Sequence, residues 1–143
     1  NGAFLGSVLA IEDEASLRSA LQRSLKARGI DATVIATARE ALTLVKEQGL
    51  RPDVLLCDYN LRGSSDGIET IKSLRVALGF NIPAVVMTGD IRSQTMNLIS
   101  AQGLTALIKP FSADELLDAL RGQEKLVITA RTSSHSVAGL HRY

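Results

Sequence analysis

Short apolar segments recur along the chain, and each is followed by a longer segment with the spacing of an amphipathic helix. Most are strongly apolar, and the second along the chain is weaker. They occupy residues 8–11, 32–35, 54–57, 84–87 and 106–108. Near-continuous apolar strands of this length are typical of a parallel sheet that is covered on both faces. The pattern therefore predicts five largely buried β-strands.

The intervening segments carry the periodicity and the end signals of helices. Leu17, Leu21 and Leu25 mark one apolar face of the first helix, and Gly29 follows as a stop signal. Residues 91–101 predict a fourth, less regular helix. The remaining helices are predicted from start signals, which are a capping box at Thr37 with Glu40, an N-cap at Asp66, and a second capping box at Ser112 with Glu115.

Strand and helix alternate five times along the chain, which predicts the α/β class. Because crossovers between parallel strands are right-handed, the strands form a doubly wound, five-stranded parallel sheet with helices on both faces, in three layers. We place this domain at residues 1–122. Residues 123–143 are a polar tail, in which residues 127 and 128 are candidates for one further short strand.

Composition excludes several classes of protein. The chain has 16 basic and 15 acidic residues without a basic stripe, so we do not expect nucleic acid as a direct partner. Cys57 is the single cysteine, which excludes an internal disulfide and favours a reduced core thiol. No apolar stretch approaches the ~18 residues of a membrane helix, so we expect a cytoplasmic domain without membrane contact. Because the chain does not start with Met, we interpret it as a piece of a longer polypeptide.

Polar residues stand directly after four of the predicted strands. Glu12 and Asp13 follow the first, Asp58 the third, Thr88 the fourth and Lys109 the fifth. In an open α/β sheet the carboxyl ends of the strands form one rim, and ligands bind there where the strand order reverses. The sequence therefore predicts that three acids, a hydroxyl and an amine converge on one rim.

Each of these groups suits phosphoryl chemistry. Crowded carboxylates need a counter-charge, and Mg²⁺ takes one or two carboxylates together with phosphate oxygens. An Asp carboxylate such as that of Asp58 is a nucleophile toward phosphorus, while the Lys109 amine offsets phosphoryl charge. Simpler roles remain open for single residues, since Asp13 could act only as an N-cap and Lys109 only as a solvated loop lysine.

Over residues 7–121 the chain resembles the receiver domain of two-component signalling, which has a flavodoxin-like fold. The resemblance implies phosphorylation of Asp58, and a cis peptide bond between Lys109 and Pro110. The residues that carry the resemblance, in chain order, are Glu12-Asp13, Asp58, Asp66-Gly67, Thr88 and Lys109-Pro110-Phe111. The resemblance implies that Mg²⁺ is held by Asp13, Glu12, Asp58 and the Asn60 carbonyl. It also implies that the Thr88 hydroxyl follows the phosphoryl group as the switch residue and that Lys109 pairs with a phosphate oxygen.

The resemblance also implies partners. Phosphate would come from a histidine kinase or a histidine phosphotransfer domain, the domain would catalyse its own phosphorylation and dephosphorylation, and homodimerisation is left open. The loop at residues 61–67 and the 88–90 run look similar to receivers at the C-terminus of hybrid sensor kinases. The alternatives are a stand-alone single-domain regulator and, from another class, an Asp-nucleophile phosphatase, which would carry an acid where Asn60 stands.

Departures from the family pattern bear on the output of the domain. Glu12 replaces the commoner Asp, and the loop at residues 61–67 has Arg62 where Pro is frequent and is one residue longer. Ala106 stands where receivers often carry an aromatic residue that moves inward on activation. With a methyl group there, we expect phosphorylation to act through the loop after Thr88 and the start of the fourth helix.

Overall fold

The predicted strands all form, and they belong to one parallel sheet. We describe the fold from a computed structural model, which covers residues 6–61 and 66–123. The predicted short strand at residues 127 and 128, the tail after Gln123 and most of the loop with Arg62 lie outside the described residues. The strands are β1 (Ser7–Ile11), β2 (Asp31–Ile35), β3 (Val54–Asp58), β4 (Ala84–Thr88) and β5 (Thr105–Ile108).

The helices follow the predicted signals, with one correction. They are α1 (Ala15–Ala27), α2 (Ala38–Lys46), α3 (Gly67–Leu78), α4 (Ser93–Ala101) and α5 (Ala113–Arg121). Both predicted capping boxes form, Asp66 caps α3 by accepting from the Glu69 amide, and Gly29 follows α1 at φ +70°. The predicted start of the fourth helix at residue 91 was wrong, because Arg92 is extended (φ −61°, ψ 146°) and α4 begins at Ser93.

The strand order is β2-β1-β3-β4-β5, with every pair parallel. From β1 the chain passes to β2 at one edge of the sheet, and it then crosses back past β1 to β3. The strand order therefore reverses between β1 and β3. In such sheets the crevice for a ligand lies beyond the carboxyl ends of the strands at that reversal. The ends of β1 and β3 carry Glu12 and Asp58, so the topology brings these two acids together.

Alternate strand residues point to opposite faces of the sheet, and each face has its own apolar core. Leu9, Leu55 and Val86 pack with α2, α3 and α4 on one face, whereas Leu56 and Val85 pack with α1 and α5 on the other. The three-layer, doubly wound α/β prediction is therefore confirmed. No helix within the described ranges is long and apolar enough to cross a membrane.

Candidate functional site

Three carboxylates meet at the carboxyl ends of β1 and β3. Glu12, Asp13 and Asp58 each place one carboxylate oxygen within 4.8 Å of the others. Glu12 is fully buried, Asp58 is 5% exposed, and Asp13 is partly buried. The structure thus brings together the acids that the strand ends predicted. Asp13 is not the N-cap residue of α1, which is Glu14, so the simple capping interpretation is wrong.

The amine of Lys109 lies between two of these acids. Its Nζ donates to Glu12 Oε1 at 3.1 Å and to Asp58 Oδ1 at 3.2 Å. The Lys109–Pro110 peptide bond is cis, as the family resemblance implied. The Lys109 amide also donates to the Thr88 carbonyl at 2.8 Å, which continues the pairing of β4 with β5 past the strand ends. Lys109 is therefore part of the site rather than a solvated loop lysine.

Burial sets the charge state of the cluster. Desolvation raises the pKa of Glu12 from 4.5 to about 7, although hydrogen bonds from the Glu14 amide and from Lys109 act to lower it. Burial acts to lower the pKa of Lys109, but the hydrogen bond to Glu12 and the charge of Asp58 outweigh it and raise that pKa. The amine thus stays protonated beside acids that are costly to ionise together.

The donor set fits a hard divalent cation. Mg²⁺ binds oxygen ligands and is usually held by one or two carboxylates, with water and phosphate oxygens completing its shell. Glu12, Asp13 and Asp58 supply such oxygens at one place, where the Lys109 ammonium group also contacts Glu12 and Asp58. The acidic cluster can therefore hold a metal ion.

Two further predicted residues stand at the same rim, Asn60 after β3 and Thr88 at the end of the neighbouring strand β4. The amide of Asn60, an exposed residue just after β3, donates to Asp58 Oδ1 at 3.3 Å and helps to orient that carboxylate. Thr88 is 1% exposed, and its Oγ1 accepts a hydrogen bond from the Asp90 amide at 2.9 Å. The Thr88 hydroxyl is therefore engaged with the loop that leads to α4.

That loop is organised by Asp90, which sequence reasoning had not singled out as a structural centre. The Asp90 carboxylate accepts hydrogen bonds from Arg92 Nε at 2.9 Å and from Thr95 Oγ1 at 2.6 Å. These bonds hold the pKa of Asp90 well below its usual range. Thr95 belongs to α4, so Asp90 connects the end of β4 to the first turns of that helix. Only the closeness of Asp90 to Thr88 in sequence could have indicated this role.

A close backbone contact fixes the other side of the site. A Cβ atom built on Gly67 would lie 2.2 Å from the carbonyl oxygen of Asp58, and the Gly67 amide donates to the Tyr59 carbonyl at 2.8 Å. The first turn of α3 therefore rests directly on the end of β3. The buried thiol of Cys57 lies 3.5 Å from the Asp58 carbonyl, as expected for a core thiol.

Comparison with known proteins identifies the family. The family model described as "Response regulator receiver domain" matches residues 8–121. The chain belongs to the response regulator receiver domain family. Among solved structures, this receiver domain is similar to chemotaxis protein CheY4 of Vibrio cholerae, with 30% identity and a TM-score of 0.72 over 82% of this chain and 98% of that one.

Two other similar proteins belong to different kinds of signalling protein. A structure described as the receiver domain from Hybrid Histidine Kinase CckA is 30% identical, with a TM-score of 0.67 over 82% of this chain and 98% of that chain. The DNA-binding response regulator MtrA of Mycobacterium tuberculosis is 34% identical over 81% of this chain and 49% of that protein. The chain thus spans about half the length of the curated relatives it matches.

Proposed function

We propose that this receiver domain accepts a phosphoryl group on Asp58 from a phosphohistidine of a partner protein. The observation that carries the proposal is the position of Asp58. It ends β3 at the reversal of strand order, contacts the Lys109 ammonium at 3.2 Å, and shares an acidic cluster with Glu12 and Asp13. Few structural roles need a buried carboxylate among two other acids, because their mutual repulsion is costly without a cation.

The reaction is an in-line displacement at phosphorus. An oxygen of the Asp58 carboxylate forms a bond to phosphorus while the bond from phosphorus to the histidine nitrogen breaks, and the nitrogen keeps the electron pair of that bond. Lys109 Nζ is already within hydrogen-bond distance of Asp58, so it can neutralise a phosphoryl oxygen without a large movement. Later attack of water on the same phosphorus would release phosphate and restore the carboxylate.

The acidic cluster would hold Mg²⁺ through Asp13, Asp58 and the Asn60 carbonyl, with Glu12 acting through water. When bound, the ion supplies positive charge for the phosphoryl oxygens. Replacing Asp13 with Ala should weaken Mg²⁺ binding and slow phosphorylation together, because one of three clustered carboxylates is lost. Calorimetric titration with Mg²⁺ measures the first effect, and unchanged binding in D13A would leave Asp13 without a metal role.

Phosphorylation of Asp58 is tested with acetyl phosphate and Mg²⁺. We expect intact-mass measurement to show one added phosphoryl group on the parent protein and none on D58N. D53N is a matched control, since Asp53 directly precedes β3, at the end of the strand opposite the rim, and accepts from the Ser7 amide at 2.8 Å. Equal labelling of D58N and the parent would overturn the assignment.

The response to phosphorylation should pass through the loop from Thr88 to α4. Ala106 is half-buried on β5 and carries only a methyl group, so no aromatic side chain at that position can move inward. Movement of the Thr88 hydroxyl toward a phosphoryl group would break its bond with the Asp90 amide. Because the Asp90 carboxylate accepts hydrogen bonds from Arg92 and Thr95, a shift of Asp90 would break or rearrange those bonds and so change the position of the first turn of α4.

The setting of the domain is a further proposal. We infer a receiver within a hybrid sensor kinase that acts in the cytoplasm, with a histidine kinase or phosphotransfer domain as partner and no direct nucleic-acid contact. The 61–67 loop and the 88–90 run resemble those of receivers at the C-terminus of hybrid sensor kinases, which supports this proposal. A stand-alone single-domain regulator is the alternative. Recovery of the flanking coding sequence tests it, since an adjoining kinase core is expected and an adjoining DNA-binding domain would overturn it.

A further inference from the structure

Arg18, on the first turns of α1, contacts the backbone of the acidic pair. Its Nη1 donates to the carbonyl oxygen of Glu12 at 3.0 Å and to that of Asp13 at 2.9 Å. The side chain is partly buried, and its own amide donates to the Glu14 carbonyl at 2.9 Å as part of the helix. One guanidinium group therefore holds two successive carbonyl groups in the turn between β1 and α1.

Other hydrogen bonds hold the Glu12 side chain and the Glu12 amide of this turn. The Glu12 side chain is held by Lys109 on one oxygen and by the Glu14 amide, at 3.0 Å, on the other. The Glu12 amide continues the sheet by donating to the Ile35 carbonyl at 2.9 Å. The two carbonyl groups of the acidic pair point to Arg18, and buried backbone acceptors generally need such a partner. Arg18 thus completes the hydrogen bonding of the turn.

The direction of the Asp13 side chain depends on the backbone of this turn. Rotation of the peptide groups around Asp13 would carry its carboxylate away from Glu12 and Asp58, with which it now lies within 4.8 Å. A planar guanidinium group presents its donors in a fixed geometry, which suits it to fix two acceptors at once. The atoms bonded by Arg18 Nη1 are carbonyl oxygens, so these two bonds do not use the carboxylate oxygens through which the pair would hold a cation.

We propose that Arg18 is a positioning residue for the divalent-cation site: it sets the β1–α1 turn so that Asp13 faces Asp58. This inference rests on the proposed function, since it assigns a role toward the same Mg²⁺ site. Groups that orient metal ligands commonly change metal affinity about 10- to 100-fold when removed. We expect about a tenfold loss in R18A, at the lower end of that range, because Arg18 binds the backbone of the ligands.

The sign of the effect separates this role from a purely electrostatic one. Arg18 carries a positive charge close to the acids, so removing that charge alone would strengthen the attraction of a cation. A positioning role predicts the opposite, weaker Mg²⁺ binding in R18A. R23A is the matched control, because Arg23 is an exposed arginine of the same helix and loses the same charge. Its Mg²⁺ affinity should stay that of the parent.

The experiment is calorimetric titration of Mg²⁺ into the parent protein, R18A, R18K and R23A. We expect weak binding in R18A, partial recovery in R18K, which keeps a shorter cationic donor, and parental binding in R23A. If R18A does not fold, R18K alone should still bind Mg²⁺ more weakly than R23A. A metal-free readout accompanies the titration: the Glu14 amide, which bonds to Glu12, should exchange hydrogen faster in the Arg18 variants and not in R23A.

The outcomes distinguish the two claims. If the parent binds Mg²⁺ and the Arg18 variants bind it equally well or more tightly, the role of Arg18 is overturned and the metal site is retained. A parent protein without saturable Mg²⁺ binding overturns the metal site itself and this inference with it. Weaker binding and faster Glu14 exchange in the Arg18 variants, with R23A unchanged, support the assignment.

Discussion

Replacing Gly67 with Ala should damage both the stability and the phosphorylation of the domain. Gly67 is the first residue of α3, where Ala would ordinarily be the better helix former. Here the added Cβ would lie 2.2 Å from the Asp58 carbonyl oxygen and 3.0 Å from the Tyr59 Cα atom. All the crowded atoms belong to the backbone, so no side chain can turn away to relieve the contact.

The magnitude follows from two opposed effects. Ordinary contact at a Cβ begins at 3.4 Å, so α3 and the end of β3 must separate by more than 1 Å. Overpacking of this kind costs about 1–3 kcal/mol, and the upper half applies because backbone has to move. Replacing Gly with Ala in a helix returns about 0.5–1 kcal/mol. The net loss is then about 1–2.5 kcal/mol, or roughly 4–10 °C in Tm at about 4 °C per kcal/mol for a domain of this size.

Thermal unfolding of the parent, G67A and G122A tests this expectation. Gly122 follows α5 with helical dihedral angles (φ −61°, ψ −21°), and a Cβ there would meet no atom closer than 3.4 Å, so G122A should match or exceed the parent. The shift of the Asp58 carbonyl in G67A should also slow labelling by acetyl phosphate. A G67A protein as stable as G122A, and labelled at the parental rate, would refute the reasoning.

Two further predictions concern pH and the output of the site. Burial raises the pKa of Glu12 from 4.5 to about 7, so the metal-free domain should lose stability as pH rises through this interval, since the folded state retains a proton that the unfolded state has released. E12Q should flatten that part of a denaturation profile, and an unchanged slope would exclude Glu12 as its source. A beryllofluoride phosphate mimic should alter hydrogen exchange within residues 89–101 because Thr88 bonds to Asp90; changes confined to β5 and α5 would contradict that route.

Local signals in the sequence predicted most of the secondary structure. Capping boxes at Thr37 and Ser112 depend on groups three residues apart, so they are visible without tertiary information. The start of α4 was misplaced because Ile91 continued an apolar pattern, yet it is 68% exposed and precedes the helix. Hydrogen bonds from Arg92 to Asp90 hold that loop, and they depend on side-chain geometry that periodicity does not encode.

The carboxylate site was predictable because parallel topology gathers strand ends, which places Asp58 beside Lys109 although the two are 51 positions apart in the sequence. The contacts that shape the site were not predictable in the same way. Arg18 looks like any charged residue of an amphipathic helix until its distance to the carbonyl groups is known. The sequence marks Gly67 only as the start of a helix. The packing of α3 on β3 shows why a side chain is excluded at this position.

The most direct test of the proposed function is to locate the phosphoryl group on the chain. Protein treated with acetyl phosphate and Mg²⁺ is reduced with borohydride, which converts an aspartyl phosphate to homoserine, and is then digested and sequenced by mass spectrometry. We expect homoserine at position 58 in a Mg²⁺-dependent amount, because Asp58 is the acid held by Lys109 at the end of the central strand. Homoserine at Asp13 instead, or at no position in a protein that gains a phosphate, would contradict the assignment of Asp58 as the phosphoryl acceptor.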